Sequence, residues 1–237
     1  MREFVGKGAF VTGGASGIGL ALGRAFAEAD CKVMLAEKTA LDAALASLSG
    51  SGPEIQGVVC GVADSTSVDA AAEATFSSIG KVHILCNNAG VGCRGSTLDD
   101  WRWVLDVNLM GVVNGVRAFV PHMRAHGEGG HIVNTASMAG MINRFHGFQP
   151  YPASKYAVVG LSEGLAIQVK PFGIAVSVLC PGIVRTHILE SARNRPERYG
   201  PSTPVDTGKP HLYSICRTGP QWHGPCGSAA ASHGRYS

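Results

Sequence analysis

The chain has 237 residues, 45% of them hydrophobic and only 16% charged, with twenty Lys and Arg against seventeen Asp and Glu for a net charge of +3. That apolar share supports a packed core without disulfides or metal, which excludes wholesale disorder. So small a charge sets up no broad field, which excludes a dedicated nucleic-acid binder or a protein that coats anionic lipid. From Met1-Arg2-Glu3-Phe4 the sequence runs into apolar segments of strand length: Gly8–Thr12, Lys32–Ala36, Ile55–Cys60, Val82–Cys86, Gly130–Asn134 and Gly173–Leu179. Helical spacing occupies the stretches between and after them, over Leu20–Ala29, Thr39–Leu48, Ser67–Ser78, Leu98–Ala125 and Pro152–Lys170. Strand and helix in alternation predict parallel pairing through right-handed crossovers, and several strands are apolar on both faces, as strands covered by helices on each side must be. The expected fold is therefore α/β, a Rossmann-type doubly wound parallel sheet.

Residues 201–237 break this pattern. Only Val205, Leu212 and Ile215 are aliphatic there and Asp206 is the sole acid, too little apolar surface to offset the entropy of ordering. One domain over 1–200 followed by an irregular tail is the expected organisation. Seven scattered cysteines (Cys31, Cys60, Cys86, Cys93, Cys180, Cys216, Cys226) contain no Cys-x-x-Cys pair and read as reduced thiols. With no leader-like apolar stretch and no run of 18 apolar residues, the expected location is cytoplasmic and no membrane partner is predicted. Nine histidines form no Cys/His cluster at ligand spacing, so no metal site is expected.

Three groups of residues carry chemistry. The turn Thr12-Gly13-Gly14-Ala15-Ser16-Gly17-Ile18-Gly19 follows the first strand and opens the first helix, where glycines let the backbone approach a pyrophosphate at the helix N-terminus. Eighteen residues beyond Gly19 the second strand pattern ends at Glu37, near the spacing of about twenty at which an acid meets an adenosine ribose 2′-hydroxyl. A carboxylate there would repel a 2′-phosphate, so NAD is favoured over NADP, with the neighbouring Lys38 the feature that argues the other way. Tyr151 and Lys155, at i and i+4 with Pro152 in the first helical turn, share one helix face, and a phenol with an ordinary pKa near 10 needs a nearby cation to work as acid or base near neutrality.

Taken together with Asn87-Asn88-Ala89-Gly90, Ser137 and Pro181-Gly182 with Thr186, these motifs resemble, in order and spacing over residues 4–200, the short-chain dehydrogenase/reductase family. The resemblance implies a catalytic tetrad of Asn108, Ser137, Tyr151 and Lys155. In it Tyr151 exchanges a proton with the substrate oxygen, Ser137 hydrogen-bonds that oxygen, Lys155 lowers the tyrosine pKa and holds the nicotinamide ribose, and Asn108 holds a water of the proton relay. It also implies cofactor contacts from Gly13, Ser16, Gly17, Ile18, Gly19, Glu37, Asn88, Ala89, Gly90, Pro181, Gly182, Ile183 and Thr186. Where the family has an acid before Val62 this chain has Gly61, with Asp64 further on, which weakens the expected adenine contact. The family's last helix and seventh strand are not readable. The stretch Ser191–Gly200 resembles a subgroup that includes Cα-dehydrogenases of lignin-type aryl ethers, and residues after about 217 look like translation in a shifted frame.

The expected function is hydride transfer between NAD(H) and a secondary alcohol or ketone. Met141, Ile142, Phe145, Phe148 and Tyr213, in loops expected around the site, point to a hydrophobic or aryl substrate; Cys93 and His146 are expected at its mouth. The rival reading is a dinucleotide-binding protein impaired by its atypical C-terminus. The family resemblance further implies a homodimer through helices, with a tetramer left open.

Overall fold

Every residue of β1 (Gly8–Thr12) is buried, as expected for a strand covered on both faces. In the computed structural model, which describes residues 3–50, 55–93, 97–142 and 149–201, the chain continues through α1 (Gly17–Glu28), β2 (Lys32–Glu37), α2 (Leu41–Ser47), β3 (Ile55–Val59), α3 (Ser65–Ile79) and β4 (Ile84–Asn87). Then come α4 (Leu98–Leu105), α5 (Gly111–Ala125), β5 (Gly130–Thr135), α6 (Pro150–Val169) and β6 (Ile174–Leu179). All strand pairs are parallel and the six-stranded sheet runs β3-β2-β1-β4-β5-β6. This is the doubly wound Rossmann-type sheet, with its order reversing between β1 and β4.

The period-two alternation of the strands divides the core. Phe10, Met34, Leu85 and Ile132 face α3, α5 and α6, packing with Val68, Phe119 and Leu165. Ala9, Val11, Val33 and Leu35 face the other way, toward Phe26 of α1 and Leu45 of α2. Because every strand points the same way, the loops after Thr12, Glu37, Asn87, Thr135 and Leu179 all emerge at one edge of the sheet.

Two boundaries differ from the sequence pattern with consequences for the site. The Leu98–Ala125 stretch is not one continuous α-helix: a π-turn, Asp106–Met110, separates α4 from α5 and carries the buried Asn108. The apolar period runs through this turn unbroken, so the sequence gives no warning of it. The stretch is long and apolar enough to cross a membrane by length and composition, yet half of its most apolar 18 residues are buried inside the fold. Second, α6 begins at Pro150, so Tyr151 and Lys155 both lie within its first two turns. Among the described residues the sheet ends at β6. The expectations for Phe145, His146, Phe148, Tyr213 and the tail from residue 202 fall outside the described residues.

Candidate active site

Thr12 organises the centre of the crevice. Its hydroxyl accepts the backbone N–H groups of Asn88 (2.9 Å) and Ala89 (3.0 Å) and donates to the Cys86 carbonyl, while the Asn88 amide donates to the Thr12 carbonyl at 3.0 Å. The Asn88 carbonyl oxygen of the side chain accepts Thr135 Oγ1 at 3.2 Å. One buried threonine thus sets the Asn88-Ala89-Gly90 turn against the glycine turn, a role that sequence reading missed although Thr12 opens the motif.

The glycine turn is a close-fitting cradle. Gly13 has φ +67°, and a Cβ at Gly19 would lie 2.1 Å from the Gly13 carbonyl oxygen and 2.6 Å from the Asn88 amide nitrogen. Ser16 is the N-cap of α1 but makes no side-chain cap, no acid lies in that first turn, and Ile18 is half-buried behind it. Unfilled amide donors at the start of a 12-residue helix, with backbone free to approach, suit a dinucleotide pyrophosphate. Gly14 N–H donates to the Ala36 carbonyl at 3.2 Å, which brings the turn beside the end of β2 and Glu37. One Glu37 carboxylate oxygen accepts the Lys38 N–H at 2.8 Å. Asp64, weighed above for adenine, caps α3 by accepting from Thr66 N–H and Oγ1.

Across the crevice, Asn108 is fully buried and its amide is committed to structure. Its oxygen accepts Val91 N–H at 2.8 Å, and its nitrogen donates to the Val91 carbonyl and to Ser154 Oγ, each at 3.0 Å. Ser154 Oγ in turn donates to the Tyr151 carbonyl at 2.7 Å. Ser154, also missed, therefore joins the π-turn to the first turn of α6. Ser137 N-caps the short 3₁₀ turn Met138–Gly140, which packs against α6, and its hydroxyl is hydrogen-bonded to the Tyr151 side chain.

Lys155 is buried. Its ammonium donates to the Thr135 carbonyl at 2.8 Å and lies 5.7 Å from the centre of the Tyr151 ring. Burial pushes its pKa down to about 8, with Cys180 acting weakly the other way. Burial pushes the Tyr151 phenol up, and the opposing influence is the Ser137 hydrogen bond. The lysine is directed at a carbonyl rather than at the phenol oxygen, and desolvation outweighs a charge held at that distance.

The segment after β6 closes the other side. Met138 N–H donates to the Pro181 carbonyl at 2.9 Å, tying this loop to the one that bears Ser137. Gly182 and Ile183 are exposed, and Thr186 lies against Gly17, where a Cβ would meet its Cγ2 at 2.9 Å. Ser191 accepts Gly92 N–H at 3.2 Å, and a Cβ on Gly92 would lie within 3.9 Å of both Ile188 and the Tyr151 ring. Cys93 packs on Val91, Trp103, Val104 and Tyr199. Among the described residues no group of three or more His, Cys, Asp or Glu is placed to hold a metal ion.

A doubly wound parallel sheet with a glycine cradle at its switch point, and a Ser–Tyr pair with a buried lysine across the crevice, defines a Rossmann-type oxidoreductase. The chain belongs to the short chain dehydrogenase family, which matches it over residues 7–197. It is 37% identical over 213 residues to the C alpha-dehydrogenase of a Sphingobium species, covering 87% of this chain and 70% of that one. A short chain dehydrogenase/reductase from Burkholderia phymatum, solved in complex with NAD, superposes with a TM-score of 0.86 at 39% identity, over 92% of this chain and 82% of that one. The apo form of LigO from Sphingobium gives 0.72 at 40% identity, over 77% and 70%. The likeness to the Cα-dehydrogenase subgroup, first carried by Ser191–Gly200, therefore extends over most of the chain.

Proposed function

We propose that the protein binds NAD(H) and interconverts a secondary alcohol and its ketone, the substrate being hydrophobic or aryl. The observation that carries this reading is the convergence of Ser137, Tyr151 and Lys155 at one edge of the sheet, across the crevice from the glycine cradle. The cradle of Gly13, Ser16, Gly17, Ile18 and Gly19 would hold the pyrophosphate, and Asn88, Ala89 and Gly90 would line the adenosine ribose. Lys155, Pro181, Gly182, Ile183 and Thr186 would hold the nicotinamide end. Glu37 favours NAD over NADP, because a 2′-phosphate would meet its carboxylate. When bound, the cofactor supplies or accepts the hydride.

The residues of the chain do the rest. Burial keeps Tyr151 a neutral phenol, the form that donates a proton to a forming alkoxide. Ser137 presents a second hydroxyl to the same oxygen, and a donor fixed in advance stabilises developing charge without reorganisation. Lys155 keeps its proton below about pH 8, so its charge is available as the phenol turns to phenolate. Asn108 serves the relay by ordering Val91 and Ser154 around these groups. Half-exposed Met141 and Ile142, just beyond Ser137, support an apolar substrate. A homodimer through helices is proposed from the family resemblance alone.

Fluorescence titration with NADH and NADPH, followed by a panel of aryl and alicyclic ketones, tests the reading. Saturable NADH binding tighter than NADPH, with ketone-dependent oxidation, is the expected result. Tighter NADPH binding overturns the cofactor preference, and a folded sample that binds neither nucleotide overturns the function.

A further inference from the structure

The motif Ser191–Gly200 has no part in the chemistry above, yet it contains a buried ion pair. Arg195 and Asp100, 95 positions apart, lie 2.6 Å from each other with side chains only 3% and 1% exposed. Each guanidinium nitrogen has a partner: Nη1 donates to Asp100, Nη2 to the Tyr199 carbonyl at 2.5 Å and Nε to the Gly200 carbonyl at 2.9 Å, and Cζ lies 5.0 Å from the centre of the Trp103 ring. Tyr199, itself buried, donates its hydroxyl to Asp106 at 2.7 Å and receives Arg198 Nη2 at 2.8 Å. Asp106 opens the π-turn that carries Asn108. Asp100 also closes the capping box of α4, accepting Thr97 N–H at 3.2 Å. A desolvated charge is retained only where paired and hydrogen-bonded, and this one is.

We infer that Arg195, paired with Asp100, is a specificity-determining positioning residue: it locks the 186–200 strap onto α4 so that the strap forms a fixed wall of the substrate cleft. This rests on the function proposed above. The strap is held at two ends with different duties. Its far end carries the ion pair. Its near end seats Thr186 on Gly17 and Ser191 on Gly92, where a Cβ would touch both Ile188 and the Tyr151 ring. Between these anchors the strap has little of its own: exposed short 3₁₀ turns with a non-helical residue, Glu190, in the middle. Without the latch, the far half keeps only the packing of Tyr199 on Trp103 and Val104 and its hydroxyl bond to Asp106 among the described contacts. A wall fixed in this way admits substrates by size, whereas a released one yields to larger groups or fails to enclose smaller ones.

The test compares wild type with Arg195→Met, Arg195→Lys and Tyr199→Phe, by amide hydrogen exchange and by kcat/KM for a small and a bulky aryl ketone. In Arg195→Met, exchange over residues 187–200 is expected to rise at least about tenfold with β1 and β4 amides unchanged, since local opening needs no global unfolding. The ratio of kcat/KM between the two ketones is expected to shift by about tenfold, carried by KM, with NADH affinity unchanged. Arg195→Lys, which keeps the charge but not the fork, should recover part of the discrimination, and Tyr199→Phe should show a smaller effect of the same sign. Unaltered strap exchange or unaltered discrimination overturns the inference. So does exchange that rises equally across the sheet, which would make the pair a support of the whole fold. Should wild type reduce no ketone, the functional reading fails, and the latch stands or falls on strap exchange alone.

Discussion

Tyr151 shows how a single side chain is tuned by the fold around it. Its hydroxyl is hydrogen-bonded to Ser137 and its pKa is raised by burial, so at neutral pH it is a proton donor in waiting. Tyr151→Phe removes the donor and keeps the ring, and ketone reduction should fall by about 10²–10⁴-fold, the usual worth of general acid–base catalysis. NADH binding should persist. Lys155 has its pKa depressed to about 8, so its charge is complete at lower pH and is lost as pH rises through that value. Reduction rates in wild type should decline through the same range, and a stopped-flow pH series measures it. A variant that kept more than about one hundredth of the rate would remove Tyr151 from the proton transfer. The residues of this site were legible in the sequence because their spacing on one helix face is local. Their electrostatics were not, since burial and the Thr135 carbonyl that takes the lysine come from elements far away in the chain.

At the scale of elements, the glycine turn joins β1 to α1 with no room to spare. A Cβ on Gly19 would press on the Gly13 carbonyl and on the Asn88 amide, backbone and side chain that Thr12 already fixes. Gly19→Ala must therefore shift the start of α1 or the Asn88 turn. Overpacking of this kind costs about 1–3 kcal/mol, which corresponds to a loss of about tenfold or more in NADH affinity if it falls on the bound geometry. Calorimetric titration of the variant checks it, and wild-type affinity would show that the turn yields without cost. The helices were recognisable from apolar spacing, but the π-turn at Asp106–Met110 was not. It places Asn108 where its amide can reach both Val91 and Ser154. Nothing in a local period distinguishes such a turn from continuous α-helix.

For the whole molecule, the sheet edge opposite the site is fastened by a charged cluster. Glu128, on the loop into β5, accepts from Lys7, from Lys81 and from His83 Nε2, which lowers its pKa. His83 Nδ1 accepts the Gly8 N–H at 3.2 Å, and the ring stacks at a tilt on His126, whose Nδ1 accepts the Glu128 N–H. Burial depresses the His83 pKa, with the Glu128 hydrogen bond opposing it and Lys7 and His126 adding to the effect. A histidine with a depressed folded pKa binds its proton more readily when unfolded, so stability is lost as pH falls below the ordinary value of about 6.5. His83→Gln offers the same acceptor and donor without a titrating ring. Thermal unfolding between pH 7 and 5 should be flatter in the variant than in wild type, and parallel curves would show that other groups carry the acid sensitivity.

By itself the sequence determined the alternation of strand and helix, the doubly wound class, the family and the residues at the loop edge, because each rests on short-range spacing or on motifs contiguous in the chain. Only the tertiary structure decided how those residues are held: Thr12 under Asn88, Asn108 bound to Ser154, Lys155 on Thr135, and Arg195 buried against Asp100. These contacts join positions up to 95 apart in the chain. Their strength depends on the removal of water, and which groups lose their water is fixed only when the layers of the sheet and helices come together.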